Sequence, residues 1–187
     1  MTSLFHPSIK RCVNHLVRGG VIAYPTEAVW GFGCDPQNRH AVEYLLELKQ
    51  RKPDKGLILV AASIEQFEFL LHDISLAQRT LLAQSWPGHN TWLVEHHKRL
   101  PSWLHGCHSS IALRVSTHPV VRTLCQSFGG PIVSSSANRQ GYPAKRSAYA
   151  LRAAYPSASI EYAPGRIGDA SRASTIRDLS SGVVLRA

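Results

Sequence analysis

Residues 21–36 read VIAYPTEAVWGFGCDP. The stretch opens as a buried strand, VIAYP, and ends among glycines. Tyr24-Pro25 should close that strand, because proline cannot continue a central ladder. Thr26 then projects from a strand end, where open α/β sheets commonly place ligands. Gly31 and Gly33 fit a loop whose backbone approaches a ligand closely. A tight strand-to-helix connection without a ligand accounts for the same residues, and this stretch alone leaves the two readings even.

The pattern around it alternates. PSIKRCVNHLVRGG reads as a helix, with Pro7 in its first turn and Gly19 and Gly20 at its stop. NRHAVEYLLELKQR is an amphipathic helix, and GLILVAA a buried strand. Two helical segments follow, near residues 64–71 and 75–84. NTWLVEH and SIALRV read as strands, HPVVRTLCQSFGG as a helix, and PIVSSSAN as a strand running into a polar loop. KRSAYALRAAY is helical and SIEYA a strand. STIRDL and GVVLRA form a closing strand pair, turning at Ser180, Ser181 and Gly182. Helices and strands mingle throughout. The expectation is an α/β fold, a single domain over 1–187 with a twisted mixed sheet and flanking helices.

The 187 residues are enough for one sizeable core. No apolar run approaches the roughly 20 residues that cross a bilayer, and the opening MTSLFHPSIKRCVNH lacks a long apolar segment and a cleavage signature. A cytoplasmic protein without membrane attachment is expected. Cys12, Cys34, Cys107 and Cys125 form no C-x-x-C, and Cys12 and Cys125 fall in apolar helical patterns as small core residues. Twenty-one Lys and Arg stand against twelve Asp and Glu, a net charge of +9. Such an excess favours an anionic partner, but charge alone does not separate RNA from ATP.

Three further stretches could carry chemistry. In LLELKQRKPDKG, Val42, Leu45, Leu46 and Lys49 share one helical face, so Lys49 leaves an apolar row at the helix end. With Arg51, Lys52 and Lys55 it forms a cationic cluster, read either as dipole compensation at a helix C-terminus or as a clamp for phosphate or carboxylate. In PIVSSSANRQGYP, a hydrophobic strand empties into Ser134, Ser135, Ser136 and Asn138, small donors suited to phosphate oxygens or a base edge. In ALRVSTHP, Arg114 sits inside an apolar strand. An unpaired buried charge costs several kcal/mol, so an internal carboxylate or a ligand must pair with it. SWPGHNTW adds a Pro87-Gly88 turn with Thr91 at the next strand. There is no G-x-x-x-x-G-K-[ST], G-x-S-x-G or H-E-x-x-H. The spacing of His96, His97, His105, Cys107 and His108 matches no standard structural metal site, and no protein-bound metal is expected.

Taken together, AYPTEAVWGFGCDP, LLELKQRKPDKGLIL, WPGHNTW, ALRVSTHP, PIVSSSAN and STIRDL resemble, in order, the YrdC-like family of threonylcarbamoyl-AMP synthases. The resemblance covers nearly the whole chain and is to the short bacterial form. It implies a sheet around a deep, positively charged cavity. It also implies an ATP-dependent reaction: L-threonine, bicarbonate or CO2, and ATP give threonylcarbamoyl-AMP and pyrophosphate. This is the first step of threonylcarbamoyl-adenosine formation in tRNA. Lys49 and Arg51 match the catalytic pair that supplies charge to phosphate. Ser134, Ser136, Asn138, Ser174 and Arg186 match nucleotide-contacting positions, and Thr26, Thr91 and Arg114 threonine-binding ones. The implied partners are ATP with Mg2+ held mainly by its phosphates, downstream threonylcarbamoyl-transfer proteins, and a contact with tRNA. The chain departs from the family pattern at Trp30, Val60, His89, Ser135 and Gln140. A basic RNA-binding maturation factor without nucleotide chemistry is the alternative, as is a relative that keeps the cavity for another amino acid.

Overall fold

The computed structural model describes residues 6–156 and 158–186. Residues 1–5 of the opening stretch and Ala187 of the expected last strand lie outside them.

Helix α1 (Pro7–Val17) starts where Pro7 fixes the first turn and His6 Nδ1 accepts from the Ser8 amide. It leads into strand β1 (Val21–Pro25). The chain then does not enter a glycine loop. It turns over Thr26–Val29 and returns as β2 (Trp30–Gly33), antiparallel to β1. The glycines are therefore strand residues. Trp30 and Phe32 alternate with them and bury themselves in the core, leaving Gly31 and Gly33 on the opposite face. That face has to be bare. A Cβ on Gly33 would lie 2.6 Å from the Val133 carbonyl oxygen and 2.7 Å from the Tyr24 ring.

Helix α2 (Arg39–Lys49) is capped by Asn38 Oδ1, which accepts from the Ala41 amide. After a 3-10 turn at Pro53–Lys55 come β3 (Ile58–Ala61), a second 3-10 turn (Ile64–Phe67), α3 (Glu68–Leu71) and α4 (Leu76–Ser85). Next are β4 (Asn90–Glu95), α5 (Ser102–His105), β5 (Ser110–Val115), α6 (Pro119–Phe128) and β6 (Ile132–Ser136). The last elements are α7 (Ala148–Ala154), β7 (Ile160–Tyr162), β8 (Thr175–Asp178) and β9 (Val184–Arg186). The 3-10 turn at Pro53–Lys55 and the short α5 have no counterpart in the sequence reading, being too brief to show a helical period.

The described strands make one mixed sheet in the order β7-β1-β2-β6-β3-β5-β4-β8-β9. β1 with β7, β3 with β5 and β4 with β8 run parallel; the other neighbours are antiparallel. Alternate residues separate two cores. Val21, Ala23, Leu59, Ala61 and Val133 pack on the side of α2, α3 and α4; Ile22, Tyr24, Val60 and Ile132 pack under α1 and α6. Cys12 and Cys125 belong to this second cluster, as helix-face residues should.

Candidate active site

The second face of the sheet is not covered along its whole width. Ile132 packs against α6, but two residues further along β6 Ser134 faces open space, and on β3 the same holds for Val60 and Ile58. Glycine, serine and alanine keep that region hollow: Gly31 on β2, Ser134 on β6, Ala112 on β5. The result is a cavity of about 390 Å³, within the range of small-molecule sites.

Cations from three distant parts of the chain enter it: Arg51 and Lys55 after α2, Arg114 on β5, and Arg186 on β9. Burial lowers the pKa of both Arg51 and Arg186, the neighbouring Arg114 charge adding to the effect at Arg186. They remain cations, because guanidinium holds its proton at any physiological pH. Thr26, Ser134, Ser135, Ser136 and Ser174 share the wall.

Each group is fixed by its neighbours. Arg51 Nη2 donates to the carbonyls of Gly56 (2.7 Å) and Lys55 (3.3 Å). Ser134 Oγ accepts from Tyr24 Oη at 2.8 Å, across the bare face of β2. Thr26 Oγ1 donates to the Val29 carbonyl at 2.8 Å and closes the β1–β2 turn. Arg186 Nη2 and Nε donate to the Ser174 carbonyl.

Arg114 finds the internal carboxylate that its burial demands. Its Nη2 lies 2.5 Å from Glu27 Oε2, and both side chains are about seven-eighths buried. Its Nε donates to the Gly88 carbonyl at 3.3 Å. Glu27 Oε1 accepts from Ser116 Oγ and from the amide and hydroxyl of Thr117. Burial alone would push the Glu27 carboxyl up. The Arg114 charge and these hydrogen bonds outweigh it, and the pKa falls to about 2.

Seven of the ten residues singled out in the sequence line the cavity: Thr26, Arg51, Arg114, Ser134, Ser136, Ser174 and Arg186. Lys49, Thr91 and Asn138 stand outside its lining. Lys49 is 3% exposed. Its Nζ donates to the carbonyls of Ser136 and, at 3.0 Å, Asn138, while its own carbonyl accepts from the Gln140 amide at 2.7 Å. It stitches the end of α2 to the loop after β6. Burial, with Arg51 beside it, lowers its pKa to about 8. Thr91 is fully buried and shares a 2.7 Å hydroxyl–hydroxyl bond with Ser174. Asn138 Nδ2 donates to the carbonyls of Arg139 and Tyr142, so its amide shapes the 138–142 loop.

Glu27 and His89 complete the site without having been assigned to it from the sequence. The signal for Glu27 was Arg114 itself: a buried arginine requires a carboxylate, and the chain holds only twelve acidic residues. Of the family departures, His89 and Ser135 line the cavity, whereas Val60 is a core residue. The histidine-rich stretch packs on itself: the rings of His96 and His105 stack at 3.9 Å, and His96 Nε2 meets the His108 carbonyl at 3.0 Å. Among the described residues no three His, Cys, Asp or Glu side chains gather where they could hold a metal ion.

A protein from Saccharophagus degradans named threonylcarbamoyl-AMP synthase is 52% identical over 181 residues, 97% of this chain and 95% of its own length. One from Chromohalobacter salexigens with the same name is 53% identical over 95% of this chain and 96% of its own. Among solved structures, P. abyssi Sua5 complexed with L-threonine superposes with a TM-score of 0.86 at 30% identity, over 95% of this chain. This chain spans about half of that longer protein, 53%. E. coli YciO shares the fold, with a TM-score of 0.83 at 22% identity over 95% of this chain and 87% of its own. The Sua5/YciO/YrdC family model, described as telomere recombination, matches residues 14–187, and the chain belongs to that family.

Proposed function

We propose that this chain makes L-threonylcarbamoyl-AMP from L-threonine, bicarbonate or dissolved CO2, and ATP, with release of pyrophosphate. The observation that carries the reading is the single hollow into which Arg51, Arg114, Arg186 and the serine hydroxyls converge. The threonylcarbamoyl-AMP synthases that share about half of its residues support it.

The chemistry suits such a wall. Threonine's amine adds to CO2, forming the N–C bond and losing a proton, to give a carbamate. A carbamate oxygen then attacks the α-phosphorus of ATP, and the bond to the pyrophosphate oxygen breaks. One anion approaches another, so the protein's task is to position both and to supply positive charge. Arg51, with the buried Lys49 behind Ser136, faces the phosphates. Ser134, Ser136, Ser174 and Arg186 hold the nucleotide, Thr91 supports Ser174, and Asn138 keeps the 138–142 loop in shape. Arg114 takes the amino acid's carboxylate, with Thr26 beside it. The Glu27 carboxylate is already engaged by Arg114, Ser116 and Thr117. The lining therefore offers hydroxyls and cations rather than a carboxylate cage, which suits Mg2+ carried by ATP's phosphates and by water.

The mixed anhydride formed is an activated acyl donor. Its use requires transferase partners that pass the threonylcarbamoyl group to a tRNA adenosine, in the cytoplasm where both are found. The net charge of +9 favours a direct tRNA contact. Purified protein with ATP and Mg2+ should release pyrophosphate only when threonine and bicarbonate are both present. Release that ignores threonine, or none at all, would refute the assignment, and tight, salt-sensitive RNA binding without turnover would favour the maturation-factor alternative.

A further inference from the structure

Histidine 89 occupies a position in the cavity wall that the reaction as written does not require. It follows Gly88 in the turn before β4 and is half-buried. Arg114 Nη2 lies 3.2 Å from its Nδ1. An arginine can only donate, so Nδ1 is the acceptor and the ring proton is on Nε2. That nitrogen lies 2.8 Å from the Arg172 carbonyl and donates to it. The His89 carbonyl in turn accepts from the Thr175 amide at 3.2 Å.

The imidazole thus bridges two parts of the cavity. On one side is the guanidinium. Gly88 O holds its Nε, while Glu27 Oε2 and His89 Nδ1 flank Nη2. Among the described residues none accepts from Nη1, which leaves that nitrogen for a ligand's anionic oxygen. On the other side is the backbone two residues before Ser174, whose carbonyl is held by Arg186. The 165–173 segment is also tied down by the Gly168 and Ala170 amides, which donate to the carbonyls of Thr26 and Glu27, and by the Arg166 carbonyl, 3.0 Å from His118 Nε2.

We propose that His89 is a positioning residue for the amino-acid substrate. It fixes the rotation of the Arg114 guanidinium so that Nη1 meets the carboxylate, and it keeps the 172–174 segment at a set distance from that clamp. The other two anchors are the Gly88 carbonyl, a long 3.3 Å from Nε, and Glu27 Oε2 on Nη2. His89 adds a third, on Nη2, before the ligand arrives, so that share of the ordering cost is not charged to binding. This rests on the threonine reading above.

The test is His89→Ala beside His89→Asn, whose side-chain oxygen can take the place of Nδ1. Calorimetry with L-threonine and initial rates of pyrophosphate release are measured on all three proteins. Loss of one hydrogen bond to a charged group should raise the threonine KM about tenfold in H89A. Its kcat and ATP KM should stay within about threefold. H89N should recover most of the threonine affinity. A wild-type protein that binds no L-threonine overturns the functional reading and this one with it. A wild type that binds it while H89A binds equally well overturns the role of His89 alone. So does a fall in kcat at constant threonine KM, or an H89N no better than H89A.

Discussion

Replacing Lys49 with methionine separates the two jobs that this buried ammonium could perform. As a staple, Lys49 donates to the Ser136 and Asn138 carbonyls. As a charge, it stands directly behind Ser136 in the cavity wall. Its pKa falls from 10.5 to about 8, so keeping it protonated inside the fold costs about 3 kcal/mol. Methionine removes that cost and nearly fills the space. It also strips two carbonyls of a charged donor, worth about 1.5–3 kcal/mol each. The sums nearly cancel, leaving a net loss of about 0–3 kcal/mol. For a chain of this size the melting temperature should fall by less than about 10 °C. Turnover, if the charge matters, should fall about 100-fold or more. The pH dependence gives the sign independently. The ammonium is positive below about pH 8 and neutral above it. Wild-type kcat/KM for ATP, which reports the free enzyme, should therefore decline as pH rises through 8, with bicarbonate and threonine kept saturating. K49M should lack that inflection. A K49M protein that turns over within threefold of wild type would refute the electrostatic role, and so would a wild-type profile flat from pH 7 to 9.5.

Other perturbations test the frame around it. Glu27→Gln should cost about 3–5 kcal/mol at pH 7 by leaving Arg114 unpaired. Because the folded carboxyl is held at about 2, below its usual 4.5, the wild-type advantage should be complete above pH 4.5 and vanish as pH falls towards 2, measured by urea titration at each pH. Gly33→Ala, whose Cβ would sit 2.6 Å from a backbone oxygen, should destabilise far more than Gly129→Ala, which meets nothing within 4 Å but has to tolerate a φ of 88°; comparable melting temperatures would contradict the packing described. Thr91→Val keeps the shape but breaks the bond to Ser174; the ATP KM should rise severalfold with about 1 kcal/mol lost in stability, and an unchanged KM would remove Thr91 from the nucleotide's support. In the native state a thiol reagent should label Cys107 first, since it is exposed, whereas Cys12, Cys34 and Cys125 are buried with pKa values pushed up by that burial. Mass mapping of the first adduct decides it.

Much of the architecture could be read from the residues because its signals are local. The α2 face of Val42, Leu45, Leu46 and Lys49 is buried as the helical period requires. β2 escaped because its two glycines, poor strand formers, offset the strand preference of Trp30 and Phe32. Its information lay in the alternation: Trp30 and Phe32 face the core and the glycines face Tyr24, a period of two over only four residues. The cavity-lining residues were legible as types, not as contacts. A serine run after a hydrophobic strand and a cation cluster after a helix announce donors. Nothing in either stretch fixes that one meets the other across 87 residues, through Lys49 and Ser136.

That long-range stitch explains why Lys49 is buried rather than displayed. A lysine that simply reached into the cavity would hold charge near phosphate but leave α2 and the 136–140 loop to move independently. By giving its protons to the loop's carbonyls and its own carbonyl to the Gln140 amide, Lys49 makes three bonds between the two segments. Arg51, two residues on, is thereby placed relative to Ser136, and both line the cavity. The same logic operates opposite, where Glu27 and the 88–89 turn hold Arg114. In each half a cation that lines the cavity is positioned by a residue outside it, Lys49 in one and Glu27 in the other. Preorganisation of this kind is the means by which a wall of fixed charge lowers a barrier between two anions without having to reorganise as the reaction proceeds.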